Sequence, residues 1–287
     1  MIEGRKPAPA DVYQEVLHMF QSIGFIGTGN MGSALALAAD KGAPQGAVLY
    51  LSNRTPAKAE ALCAKLSRAQ VSTNEEIART CGLIFLGVKP QMMAGVLEGL
   101  RPILAARTDR FVVCSMAAGL TLDALEGMLG KEYPLIRILP NTPAAIGQGI
   151  AQFCVRGVTE EEKSAFLSLM APSGLLDEMD EGLMAAANCV SGCGVAFAAL
   201  FMEALADGGV ACGLPRDKAL LCAAQTLAGT GALYLESRQH PGPMKDAVCS
   251  PGGTTIQGVR ALEKAGFRSA CMEAVIAAFE KTLSMGK

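Results

Sequence analysis

The sequence predicts a doubly wound parallel α/β sheet followed by an all-α domain. Three observations carry this. From Ser22 to about Met179, short apolar runs alternate with amphipathic helical patterns. The first run ends in the spacing G-x-G-x-x-G, and helix signals begin directly after it. From Asp180 onward strand signals stop and only long helical patterns follow. The expected division is an N-terminal extension (1–21), a sheet domain (22–179) and a helical domain (180–287).

Composition narrows the function classes. A chain of 287 residues makes one large or two modest domains. A net charge of −2 gives no electrostatic case for nucleic acid or an anionic membrane. Aromatics are only 5% and Trp is absent, which suits close-packed, Ala- and Gly-rich helices. Ten cysteines without a C-x-x-C, and only His18 and His240 as histidines, argue against a zinc site. Most of the cysteines sit in apolar patterns and read as small buried hydrophobes in a reducing, cytoplasmic setting. The first 20 residues are mixed and charged rather than signal-like, and Ile2-Glu3-Gly4-Arg5 resembles a protease-cleavage remnant. Leu183 to Met202 is uncharged and long enough to span a bilayer. Its apolar residues are mostly Ala, however, and acids flank it, so it reads as a helix buried in a core or subunit interface.

The elements follow in order. Strand Ile23–Ile26 leads through Gly27-Thr28-Gly29-Asn30-Met31-Gly32 into helix Met31–Lys41, ended by Gly42. Gly27 permits the tight turn, Gly29 leaves room for a pyrophosphate, and Gly32 lets the helix pack on the strand. The helix start faces the phosphates with free N–H groups. This predicts a Rossmann-type dinucleotide site. Strand Ala47–Leu51 ends at Ser52-Asn53-Arg54. An NAD site carries an acid about 20 residues past the glycine loop; here Asn53 and Arg54 stand instead. A guanidinium pairs with a 2′-phosphate that a carboxylate would repel, which favours NADPH with NADH as the alternative. The competing reading of Arg54 is a solvated loop cation.

Helix Pro56–Ala69, a short strand from Val71, helix Asn74–Cys81 and strand Leu83–Val88 come next. Lys89-Pro90 closes that strand, and helix Gln91–Leu100 follows. Strand Phe111–Ser115 runs into Met116-Ala117-Ala118-Gly119, small residues at a ligand-binding sheet edge. Helix Thr121–Leu129, strands Leu135–Leu139 and Ile150–Cys154, and a capping box at Thr159–Glu162 opening helix Glu160–Met170 complete the first domain. The second is expected to hold helices Glu181–Cys189, Gly194–Cys212, Pro215–Arg238, Thr254–Ala265 and Phe267–Met285. Gly194–Cys212 and Ala219–Leu235 are apolar most of the way round, which predicts self-association.

Asp246 to Thr255 interrupts these helices. Pro251 breaks one helix, Gly252-Gly253 turn the chain, and Thr254-Thr255 are expected to cap the next. Such a helix start, with free N–H groups and hydroxyls, suits a substrate carboxylate; the competing reading is an ordinary kinked turn.

At these residues the chain resembles the pyrroline-5-carboxylate reductase family. The resemblance runs from about Ile23 to the C-terminus. It rests on the glycine loop, Val88-Lys89-Pro90, Ala117-Ala118-Gly119, Pro140-Asn141-Thr142-Pro143 and Ser191-Gly192-Cys193-Gly194. Glu203–Asp207, Gly213-Leu214-Pro215, His240-Pro241, Lys245-Asp246, Ser250–Thr255 and Leu262-Glu263 add to it. The family reduces the cyclic imine Δ1-pyrroline-5-carboxylate to L-proline with NAD(P)H and assembles as dimers or rings of dimers. The resemblance implies substrate-binding roles for Val248, Ser250, Gly253, Thr254 and Thr255, with Thr255 near the ring nitrogen as the catalytic residue. It places Gly27, Gly29, Asn30, Met31, Asn53, Arg54 and Asn74 along the cofactor, together with Val88, Lys89, Pro90 and Ala117. Lys89 is otherwise a surface cation at a strand end. Hydride transfer is mainly positioning and requires no metal, nucleophile or histidine base.

The chain departs from the family where Ser-Gly-Ser-Gly-Pro-Ala-Tyr becomes Ser191-Gly192-Cys193-Gly194-Val195-Ala196-Phe197, and where the usual Thr is Asn188. Three alternatives follow: a reductase of another ring imine, a β-hydroxyacid dehydrogenase, or an NADP(H)-binding protein without catalysis. The dehydrogenase branch typically needs a lysine on the first long inter-domain helix, and Gly194–Cys212 has none.

Overall fold

The computed structural model describes residues 20–285. The expected extension, apart from Phe20 and Gln21, lies outside them, as does His18. Two compact units divide the chain, one up to Gly192 with the segment from Lys281, the other Cys193–Glu280.

The first unit is built on eight strands: β1 (Ser22–Ile26), β2 (Val48–Ser52), β3 (Ala69–Val71), β4 (Leu83–Leu86), β5 (Val112–Ser115), β6 (Leu135–Pro140), β7 (Gly149–Arg156) and β8 (Gly174–Glu178). Their order in the sheet is β3-β2-β1-β4-β5-β6-β7-β8. Helices α1 (Asn30–Gly42), α2 (Pro56–Cys63), α3 (Asn74–Thr80), α4 (Pro90–Ala105), α5 (Leu122–Leu129), α6 (Glu160–Met170) and α7 (Glu181–Ser191) accompany them. Strand residues alternate between two cores, as the two-residue period demands. Ile23, Phe25, Leu49, Leu51, Leu83 and Phe85 face the α1 and α6 side. Ile26, Ile84, Leu86 and Val113 face the side of α3, α4 and α5. Phe25 and Phe85 are register partners on β1 and β4 and stack with centroids 4.5 Å apart.

Several sequence expectations are corrected. The sheet is not parallel throughout: β7 runs antiparallel to β6, pairing Ile138 with Phe153. Only a short 3-10 turn, Thr142–Ile146, joins them, too short for the crossover that a parallel neighbour needs. Helix α2 stops at Cys63 rather than Ala69, and Ala69 already belongs to β3. The Asp40 carboxylate accepts the backbone N–H groups of Ser67 and Arg68, holding the intervening chain as a loop. Helix α4 continues through Pro102 to Ala105. Strand β8 carried little signal because it is an edge strand with half-exposed residues. The capping box at Thr159 and Glu162 forms as expected.

A partly buried ion pair fixes α7 to the sheet. Arg137 on β6 donates to Glu181 at 3.2 Å, and the same carboxylate oxygen accepts the Leu122 N–H at 2.7 Å. The Asn141 amide donates to the Ser191 carbonyl, and its oxygen accepts the Ile150 N–H. The uncharged stretch of the sequence is therefore two helices, broken at Gly192-Cys193.

The second unit holds α8 (Gly194–Ala211), α9 (Arg216–Ser237), α10 (Pro241–Asp246), α11 (Thr254–Lys264) and most of α12 (Phe267–Met285). Gly213, at φ +93°, makes the turn before Pro215. Its buried core consists of Ala206, Ala219 and Ala223, while Leu200, Leu221, Leu233 and Met272 are more than half exposed. A helix that is apolar all round yet uncovered needs another surface.

Burial sets the thiols. Desolvation pushes Cys81 up to about 12 and Cys154 up to about 11, and raises fully buried Cys114 as well. The folded state holds these protons more tightly than the unfolded state, whose thiols titrate near 9.0. Their contribution is complete below pH ~9 and is lost as pH rises toward ~12. Urea midpoints measured from pH 8 to 11 are expected to fall, and Cys81→Ala to flatten part of that fall.

Candidate active site

The first cluster of site residues lies at the carboxyl ends of β2, β1, β4 and β5. Gly27, at φ +100°, turns the chain out of β1. A Cβ on Gly32 would sit 2.1 Å from the Gly27 carbonyl oxygen, and one on Gly87 would sit 2.5 Å from it. Gly29 differs: nothing lies within 4 Å of where its Cβ would be. It is a glycine of access, not of packing. It is also the N-cap of α1, which has no side-chain cap and no acid in its first turn. The free N–H groups of that turn face open space.

Asn53 ties the loop to the neighbouring strand. Its Oδ1 accepts the Thr28 N–H at 3.2 Å, and its Nδ2 donates to the Thr55 carbonyl at 3.1 Å. The Ser52 hydroxyl donates to Asn74 Oδ1 at 2.7 Å. Ser115 Oγ accepts the Ala117 N–H at 3.3 Å, shaping the end of β5. Arg54 is exposed and forms no ion pair among the described residues. Lys89 is the exposed N-cap of α4, with Pro90 at its first position and half-buried Val88 before it. Half-buried Met31 and exposed Asn30 open α1. Ser52, Ser115 and Thr28 were not singled out in the sequence. The legible signal for the serines was a polar residue closing an otherwise apolar strand.

Thr28 is 4% exposed, yet its hydroxyl has no hydrogen-bond partner among the described residues. A buried polar group without a partner costs free energy, so a ligand oxygen beside it would be favoured. With open space at Gly29 and an uncapped helix start, these residues fit a dinucleotide pyrophosphate.

The second cluster lies in the helical unit. The His240 ring accepts the Gly242 N–H and caps α10. After exposed Val248 and Ser250, Gly252 turns at φ +71°. A Cβ on Gly253 would meet Ser250 Oγ at 2.4 Å. The expected threonine cap is not there: Gly253 is the N-cap of α11, with no side-chain cap bond, and Thr254 is the first helical residue. The reason is positional, since a capping hydroxyl must precede the helix. The exposed hydroxyls of Thr254 and Thr255 thus have no partner among the described residues. No acid occupies the first turn.

A curated pyrroline-5-carboxylate reductase of Pisum sativum is 40% identical over 91% of this chain and 94% of its own length. The chain belongs to the pyrroline-5-carboxylate reductase family. The reductase of Escherichia coli K12 is 38% identical over 94% of this chain and its own full length. The family model for pyrroline-5-carboxylate reductase dimerisation matches residues 181–285, and one for NADP oxidoreductase, coenzyme F420-dependent, matches 22–119. A solved pyrroline carboxylate reductase of Plasmodium falciparum with NADP bound superposes at TM-score 0.80 and 33% identity, covering 93% of this chain and 98% of its own. Membership makes the chain an NADP-binding oxidoreductase, and the dimerisation match supports self-association through the helical region. Two departures noted from the family are accommodated locally. Helix α8 starts at Gly194 with Val195 in place of proline. The Asn188 amide lies against Gly192, where a Cβ would be 2.5 Å from its Oδ1.

Gly29 and Gly32 differ in what a side chain there would meet. Gly29→Ala is expected to fold with stability within about 0.5 kcal/mol of the parent and to weaken NADPH binding about tenfold or more. Gly32→Ala is expected to cost about 1–3 kcal/mol in urea unfolding.

Proposed function

We propose that this chain reduces Δ1-pyrroline-5-carboxylate to L-proline with NADPH. The observation that carries this is the start of α11. Thr254 and Thr255 present unpartnered hydroxyls on an uncapped helix N-terminus without acids, in a chain of this family. That surface suits a carboxylate and an adjacent ring nitrogen.

In this reading the backbone N–H groups after Gly253, with Ser250 and Thr254, hold the carboxylate, and Val248 lines the apolar side of the ring. The Thr255 hydroxyl holds the nitrogen in line. When bound, NADPH supplies the hydride that adds to the imine carbon. The nitrogen takes up one proton, either carried in by a protonated imine or relayed from solvent past Thr255. Gly27, Gly29, Asn30 and Met31 hold the pyrophosphate. Asn53 and Arg54 hold the adenosine end; Asn74, Val88, Lys89, Pro90 and Ala117 line the remaining length.

The sheet domain at 22–179 would then serve the cofactor, and residues 180–287 would serve the substrate and assembly. The alanine-only core of the helical unit favours a dimer or a ring of dimers, with the substrate site completed by the partner subunit. Ten free cysteines fit a reducing, cytoplasmic compartment.

Purified protein is expected to oxidise NADPH when given pyrroline-5-carboxylate, and Thr255→Ala to lower the rate at least about tenfold. The assay is run on a panel of five- and six-membered imine acids. No turnover with any of them would overturn the catalytic reading; turnover confined to a six-membered imine would move the substrate. Separately, Arg54→Ala is expected to weaken NADPH far more than NADH in direct binding measurements. Equal loss would return Arg54 to a solvated loop cation.

A further inference from the structure

Beside the glycine loop runs a groove of about 490 Å³. Thr28, Gly29 and Asn30 of the glycine loop line it together with Lys58 of α2 and Lys65 just after that helix. Neither lysine forms an ion pair among the described residues, and neither does Arg54 just upstream. The nearby acid on α1, Asp40, is already committed to Ser67 and Arg68. Lys58 stands in the first turn of α2, four residues before Leu62 on the same groove; that turn contains no acid and receives no side-chain cap bond from Thr55. The independent sign of a ligand is Thr28, on the same groove, buried and with an unpartnered hydroxyl.

We propose that Lys58 is a second cation for the 2′-phosphate of NADPH and so a determinant of its preference over NADH. The inference rests on the reading of Arg54 given above and deepens it. A 2′-phosphate monoester carries close to two negative charges at neutral pH, and one guanidinium balances only one. Arg54 approaches from the loop after β2. Lys58 follows four residues later, in the first turn of α2, and lines the same groove as the glycine loop. An ammonium there meets the phosphate as a mobile point charge beside the planar fork of Arg54. Lys65 lines the same groove but lies beyond the end of α2, so it adds field without contact.

The test is calorimetric binding to the full-length protein. The ligands are NADPH, NADH and the pair adenosine 2′,5′-bisphosphate and adenosine 5′-monophosphate, which differ only in the 2′-phosphate. Lys58→Ala is expected to raise the Kd for NADPH and the bisphosphate about 5- to 30-fold and to change NADH and the monophosphate less than about twofold. Lys58→Arg should retain most of the affinity, and Lys65→Ala should stay within about twofold of the parent. Equal loss for both ligands of the pair, no loss, or an equal effect from Lys65→Ala would overturn the proposal. Arg54→Ala separates the two readings. Selective loss there without selective loss in Lys58→Ala sinks Lys58 alone. The reverse sinks Arg54 and leaves Lys58 as the phosphate's cation.

Discussion

Three stretches of backbone meet at the carbonyl of Gly27, and no side chain can stand between them. The end of β1, the start of α1 and the end of β4 approach so closely that a Cβ at Gly32 or Gly87 would sit 2.1 or 2.5 Å from that oxygen. The Phe25–Phe85 stack lies just below, on the same two strands. Close packing at the core and bare backbone above it are thus one arrangement. It sets α1 where its N-terminus looks out past Gly29, the one glycine of the motif at which a Cβ would meet nothing within 4 Å.

Much of the first unit was legible because it obeys simple periods. Buried parallel strands read as unbroken apolar runs, and the capping box at Thr159 marked its helix to the residue. What escaped was long-range or weakly encoded. Whether β7 lies parallel or antiparallel to β6 depends on which strand it pairs with, and no local pattern in Ile150–Cys154 states that. The end of α2 was misplaced because the loop after it is held by Asp40, some 27 residues away. In the site, the glycine loop and Asn53-Arg54 were readable from spacing, but the bonds of Ser52 to Asn74 and of Asn53 to Thr28 were not. Those bonds join the end of β2 to the loop after β1 and to the start of α3, and only the assembled sheet brings them within reach.

The helical unit shows a different balance. Its own buried residues are three alanines, each contributing little apolar area. Small side chains let α8 and α9 approach closely, while the leucines point away and remain open on one chain. The family match over 181–285 and this surface describe the same property from two directions: the unit is designed to be covered. The threonines at the start of α11 stand in that unit with hydroxyls that bond to none of the described residues.

Asn53 has a consequence for how cofactor choice can change. Its amide oxygen supports the glycine loop through Thr28, and its amide nitrogen supports the turn at Thr55. The turn after β2 and the glycine loop therefore share one side chain. A lineage drifting from one nicotinamide cofactor to the other cannot treat this position as a free dial, because an exchange here reshapes the phosphate loop as well. On the reading proposed for Arg54 and Lys58, whose charged ends carry no structural bond among the described residues, such drift meets least resistance there.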